Sequence, residues 1–226
     1  VSGPGCNNYV LIIQDKEAYP DDSDLQQLDP ANSINNGEKS GWKYIPDVFL
    51  SGSVHGNERV GPSSLLEMAE LLVESAYCES LPRMRFRPKD DSNKEESHKW
   101  EEELMSAKSC REDLATNKGV PSPYRQWLAR LVSTRRTVII PTANALGYSR
   151  NQREEDGIDP NRDFPFDIET PNSNKCMQTI AGRSINELFR SHLFPIGLTF
   201  HGGMEVIGYE WGAPTYLNKD APGEVA

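Results

Sequence analysis

Apolar residues along the chain gather into short runs separated by long polar stretches, and the runs alternate in type. Residues 9 to 13, YVLII, form a β-branched and aromatic run that predicts a short buried strand. Residues 47 to 54, DVFLSGSV, predict a second strand, TVIIP at 137 to 141 a third, and IGLTF at 196 to 200 a fourth. Helical spacing follows between them. From about Pro62 to Ala76, Leu65, Leu66, Met68, Ala69, Leu72 and Val73 draw an apolar stripe, with proline suited to the first turn. SPYRQWLARLVS, from Ser122 to Ser133, and AGRSINELFRSH, from Ala181 to His192, are two more amphipathic segments. Strands alternating with helices predict an α/β fold: a mixed, largely parallel sheet flanked by helices.

Two polar stretches interrupt this pattern. Gln14 to Gly41 is rich in Asp, Asn, Ser, Pro and Gly, with turn signals at Asp29-Pro30 and Asn36-Gly37, and reads as a long surface connection. Residues 79 to 120 are dense in mixed charge with few apolar anchors. They read as a solvated, partly mobile insertion with one or two helical turns. The insertion accounts for much of the low mean hydropathy of -0.64. At 226 residues the chain has the size of one domain.

The charge balance narrows the function. With 24 Lys+Arg against 34 Asp+Glu the net charge is -10, opposite in sign to the basic footprint of a nucleic-acid binder. No apolar run approaches the roughly 20 residues that cross a bilayer, so no membrane span is expected. The four cysteines, Cys6, Cys78, Cys110 and Cys176, include no Cys-x-x-Cys pair, which argues against a thiolate-rich zinc site. Their even number permits two disulfides, and an extracellular or secretory home is set slightly ahead of a cytoplasmic one. The chain opens on Val with no charged-then-apolar leader and is expected to be trimmed or cut from a longer one.

The candidate chemistry lies where three of the strands end. DVFLSGSV runs into His55-Gly56-Asn57-Glu58-Arg59, TVIIP into Thr142-Ala143-Asn144-Ala145-Leu146-Gly147-Tyr148, and IGLTF into His201-Gly202-Gly203. In an open α/β sheet, ligands bind beyond the carboxyl ends of the strands, so two histidines and a glutamate converge on one rim. Two imidazoles and a carboxylate are the donor set of a catalytic zinc, which keeps a fourth position for water. A lone His-x-x-Glu is common by chance, and a strand-end histidine is more often structural; the combination of His55, Glu58 and His201 carries the expectation. His98 falls in the charged insertion, and the helix dipole accounts for His192. Between the second and third strand ends lies an arginine-bearing loop, Ser149 to Pro165. It reads either as a surface loop whose charges pair with one another or as a binder of an anionic substrate end.

Taken together and in this order, HGNERVG, NALGYSRNQREEDGIDPNRDFP and TFHGG resemble the motifs of the zinc carboxypeptidases of the M14 metallocarboxypeptidase family, from about Val48 to Gly212 outside the insertion. The resemblance implies one Zn²⁺ held by His55, Glu58 and His201. It also implies a peptide or protein C-terminus as substrate, its carboxylate bound by Asn161 and Arg162, on a protein expected to be monomeric. An upstream arginine would polarise the scissile carbonyl; Arg150 and Arg153 compete for that role, and Arg153 is favoured. Ala145 replaces the family's usual proline, and Asp163 stands where Asn is common. The family's general-base glutamate and a tyrosine that closes over substrate come several tens of residues after the third ligand. Only 25 residues follow His201, so the peptidase domain is expected to be C-terminally incomplete and the chain alone inactive. Glu205 and Glu210 are too near the ligand to be that base.

Two other functions compete. The related aspartoacylase and deacylase branch shares HGNE and Asn-Arg-x-Phe and cleaves N-acyl amino acids, while the Asn-x-x-Gly-Tyr element and Pro165 lean toward peptides. A noncatalytic carboxylate-binding module would keep zinc and carboxylate recognition without turnover.

Overall fold

The computed structural model describes residues 8–16, 47–81, 94–165, 176–203 and 205–208. Along the chain run β1 (Leu11–Ile13), β2 (Asp47–Gly52), α1 (Val60–Ser80), α2 (Lys94–Thr116), α3 (Ser122–Thr134), β3 (Arg136–Ile140), α4 (Ala145–Arg150), a 3-10 turn (Pro160–Arg162), α5 (Ile180–Ser191) and β4 (Ile196–Phe200). The strands form one four-stranded mixed sheet in the order β1-β3-β2-β4, so the chain is α/β as expected. β2 and β4 are parallel neighbours, with Gly52 opposite Phe200 at their carboxyl ends.

The chain divides into two compact units, Val1–Ile12 with Pro46–Leu66 and Thr137–Ala226, and Ile13–Ile45 with Glu67–Arg136. In the first, Phe49, Val54, Ile140, Ala143, Ala181 and Ile185 form a buried cluster, with Phe164, Leu188 and Phe194 packed against it. β2 and β3 occupy the sheet centre, where both faces are covered, which suits their near-continuous apolar sequence. β1 lies at an edge, and this corrects the expectation of a buried strand: Ile13 is buried, but Ile12 is half exposed and Tyr9 falls outside the strand. The Asn8 side chain donates to the Ala143 carbonyl at 3.0 Å and the Ser184 hydroxyl at 2.9 Å, tying the approach to β1 down.

In the second unit Cys78, Leu114 and Val120 are buried together, joined by Leu71, Cys110 and Leu128. The stripe on α1 is narrower than its sequence implies: Leu65, Ala69 and Leu72 turn inward, whereas Leu66 and Val73 are exposed. The expected charged insertion is corrected most. It contains α2, a helix of 23 residues rather than one or two turns. Leu104, Ala107, Arg111 and Leu114 recur at three- and four-residue steps and mark its covered face, while the charged positions between them face solvent. A Cys78–Cys110 disulfide ties α2 to α1. A buried Arg125–Glu79 ion pair at 2.6 Å ties α3 to α1. Lys118, just beyond α2, pairs with Glu70 and Glu74 of α1. The hydrogen bonds it donates to both carboxylates raise the Lys118 ammonium above its usual range, and the Lys118 bond lowers Glu70. Of the remaining cysteines, Cys176 is a free thiol and Cys6 lies outside the described residues, as does most of the expected Gln14 to Gly41 connection.

No described helix is long and apolar enough to cross a membrane.

Candidate metal centre

Three features bring His55, Glu58 and His201 together. β2 and β4 are adjacent and parallel, so His201, directly after Phe200, emerges beside the chain leaving Gly52. Ser53 then takes a left-handed conformation, φ 50°, and its hydroxyl donates to the His55 carbonyl at 3.1 Å, turning the backbone over the rim. The Glu58 N–H donates back to the His55 carbonyl at 3.1 Å, closing a tight turn that sets both side chains on one side.

The Glu58 carboxylate lies between the two imidazoles, with Oε1 2.9 Å from His55 Nδ1 and Oε2 2.8 Å from His201 Nδ1. The rings stand 4.9 Å apart between centroids. One donor atom from each of the three residues lies within 4.8 Å of the others, so the group can hold a metal ion. Burial alone would raise the Glu58 carboxyl. The hydrogen bonds with His201 and His55, the charge interaction with His55 and the Gly202 N–H outweigh burial and leave it below the ordinary carboxylate range.

Around this group the arginine loop takes a defined shape. Glu155 and Ile158 exchange backbone hydrogen bonds at 2.9 and 3.1 Å across Asp156 and Gly157, whose φ values of 49° and 85° make a two-residue hairpin. The hairpin returns Asp159 to Arg153, which donates Nε and Nη2 to Asp159 Oδ2 at 3.2 and 3.0 Å. Arg153 Nη1 also lies 3.5 Å from Glu58 Oε1. Asp159 Oδ1 faces His55 Nε2 at 3.1 Å, on the far side of the ring from Glu58, and accepts the Asn161 N–H at 2.9 Å. Burial would raise the Asp159 carboxyl too, but the Asn161 N–H, the charge interaction with His55 and the Arg153 guanidinium bring it below the usual range.

Of the two competing arginines, then, Arg153 reaches the candidate ligands, whereas Arg150 pairs with Asp156 at 3.0 Å. The Arg153 carbonyl is gripped by the Gly56 N–H and the Asn144 amide, each at 3.2 Å. Asn161 and Arg162 form the 3-10 turn beside Asp159; the Arg162 side chain is exposed and donates to the Asn161 carbonyl at 2.9 Å. The charges of the loop thus pair with one another, as the surface-loop reading expects, and Arg153 also lies against Glu58.

His192 lies apart from this site. Its ring is 3.0 Å from Asp47 Oδ2 and stacks on Phe194, a structural placement at the end of α5. The side chain of His98 and all of Glu210 lie outside the described residues, and Glu205 is exposed in irregular chain. Sequence reasoning missed Asp159. Its one local signal is a helix-cap signature, an Asp directly before Pro160, and its side chain does accept the Asn161 N–H. Asp163 also gains a reason: its carboxylate accepts the Gln178 N–H at 2.9 Å and the Thr179 N–H and hydroxyl at 2.7 Å each, which an Asn side chain could not do throughout.

No family model and no curated protein matches the chain.

Proposed function

We propose that this chain carries the metal centre and carboxylate anchor of a zinc metallocarboxypeptidase, a hydrolase that removes C-terminal amino acids from peptides. The observation that carries the reading is the convergence of His55, Glu58 and His201 beside the Arg153 guanidinium. Two imidazoles and one carboxylate, without thiolate, suit Zn²⁺ and leave a position open for water. Bound zinc would lower the pKa of that water to about 7 and polarise a carbonyl.

The protein's own groups divide the remaining work. Asp159 lies 3.1 Å from His55 Nε2, where it would accept that N–H and leave Nδ1 to hold the metal. Arg153, half exposed and held by Asp159, donates N–H groups to the oxyanion that forms from the scissile carbonyl. Asn161 and Arg162 bind the terminal carboxylate, the guanidinium matching its two oxygens. Glu58 and Asp159 are both engaged by imidazoles, so the carboxylate that takes the proton of the water is assigned to a residue outside the described ones. That engagement also supports a second reading, a carboxylate-binding module without turnover.

The full-length protein decides between them in a side-by-side assay of zinc content and hydrolysis, using blocked dipeptides and N-acyl amino acids. Cleavage of the dipeptides, lost together with zinc in His55→Ala and Glu58→Ala, is the expected result. Zinc and activity that survive both changes would sink the assignment. Cleavage of N-acyl amino acids alone would transfer the site to a deacylase, and zinc binding without turnover would leave the binding module.

A further inference from the structure

The start of α5 is held by two carboxylates besides its cap residue. Five consecutive backbone N–H groups, from Gln178 to Gly182, are all satisfied by side chains. Gln178 donates to Asp163 Oδ1 and Thr179 to Asp163 Oδ2, at 2.9 and 2.7 Å. Ile180 donates to Glu155 Oε1 and Ala181 to Glu155 Oε2, at 2.6 and 3.0 Å. Gly182 donates to the Thr179 hydroxyl at 2.9 Å, and that hydroxyl donates in turn to Asp163 Oδ2 at 2.7 Å. Thr179 is the N-cap and its side chain satisfies one of these groups, the Gly182 N–H. The remaining four are taken by Glu155 and Asp163, 6% and 1% exposed, at a desolvation cost that water would not incur there.

Their place in the chain supplies the explanation. Glu155 lies two residues after Arg153, and Asp163 directly follows Arg162. The stretch from Glu155 to Asp163, which carries Asp159, Asn161 and Arg162 and begins two residues after Arg153, is therefore pinned to the start of α5 at both ends, and the Glu155–Ile158 hairpin closes its first end. The Met177 N–H to Asp163 carbonyl bond, at 2.7 Å, adds a backbone tie at the second anchor. We infer that Glu155 and Asp163 are positioning residues that fix the two guanidinium groups separately, Glu155 acting through Arg153 and Asp163 through Arg162. This rests on the proposed roles of Arg153 and Arg162, and it adds that the rigidity of the anchor comes from the end of α5.

A split in kinetic parameters tests it, because a group that stabilises the transition state acts on kcat and one that binds substrate uniformly acts on KM. In the full-length, zinc-loaded protein, hydrolysis of a blocked dipeptide with a free carboxylate is measured, with the matching C-terminal amide as comparison. Asp163→Asn is expected to raise KM about tenfold with kcat within about twofold, and Glu155→Gln to lower kcat about tenfold with a smaller change in KM; each corresponds to about 1.4 kcal/mol. Zinc content stays at the wild-type level in both. If neither variant folds, Thr179→Val and Thr179→Ser carry the test. Valine removes the hydroxyl donor to Asp163 and should raise KM, and serine, which keeps it, should restore it. Parameters that do not move, or that move alike in both carboxylate variants, overturn the inference. A wild-type protein that treats carboxylate and amide peptides equally overturns the anchor reading itself and the inference with it.

Discussion

Gly56 and Gly147 meet backbone to backbone. A Cβ on Gly56 would lie 2.1 Å from the Gly147 carbonyl carbon, 2.3 Å from the Tyr148 nitrogen and 2.4 Å from the Gln152 carbonyl oxygen. All three obstacles are main chain, so no side-chain rotation relieves them. The contact seats α4 against the His55–Glu58 turn and lets the Gly56 N–H hold the Arg153 carbonyl. Gly56→Ala is therefore expected to push α4 and Arg153 away from the ligands. Overpacking of this kind costs about 1–3 kcal/mol and occasionally more. Denaturant unfolding and zinc retention measure it against Gly119→Ala, where φ is 66° and nothing lies within 4 Å, so that backbone strain of about 1–2 kcal/mol is the whole expected cost. A Gly56→Ala protein that matches wild type in stability and in binding of the proposed zinc would mean that the contact does not set the site.

Asp159 joins His55 to Arg153, and its removal should show in two ways. Loss of an outer carboxylate partner of a ligating histidine commonly costs 10–100-fold in metal affinity, so Asp159→Asn should bind the proposed zinc about that much more weakly while keeping His55, Glu58 and His201. The second effect is on acid stability of the metal-free protein. The folded-state carboxyl is lowered, so its contribution is present above the ordinary carboxylate range and is lost as pH falls through the lowered value. Asp159→Asn removes that contribution, and stability should fall less steeply with acid in the variant than in wild type. An acid limb of unchanged slope, together with unchanged zinc affinity, would show that Asp159 couples to neither partner.

What was legible in the sequence was whatever local spacing or strand alternation encodes. His55 and Glu58 share one turn, and His201 ends a strand whose apolar pattern is plain, so the metal group could be assembled from strand ends alone. Asp159 could not, because it reaches His55 across 104 residues and only the hairpin at Asp156-Gly157 brings it there. Glu155 and Asp163 were hidden for the same reason, their partners lying 15 to 26 residues away at the start of α5 and just before it. The length of α2 was obscured differently. Its covered positions, Leu104, Ala107, Arg111 and Leu114, are spaced correctly but diluted by charge, and its tether to α1 is a disulfide, whose pairing four scattered cysteines do not specify.

That disulfide yields the last prediction. Cys78 and Cys110 close a loop with a sequence separation of 32, and in the chain-entropy picture such a link removes about 4 kcal/mol of freedom from the unfolded state. The bond lies within the cluster of Leu114 and Val120, so reduction also leaves two thiols among apolar neighbours. The double change Cys78→Ala and Cys110→Ala, or reduction by a thiol, is expected to lower stability by about 2–4 kcal/mol and to expose α2 to proteases first. Affinity for the proposed zinc should not change in the folded protein, since His55, Glu58 and His201 belong to the other unit. Proteolysis of α2 read alongside zinc retention separates the two effects. If α2 is cut no faster than in the oxidised protein, α2 is held by its packing and ion pairs, and the disulfide adds nothing to it.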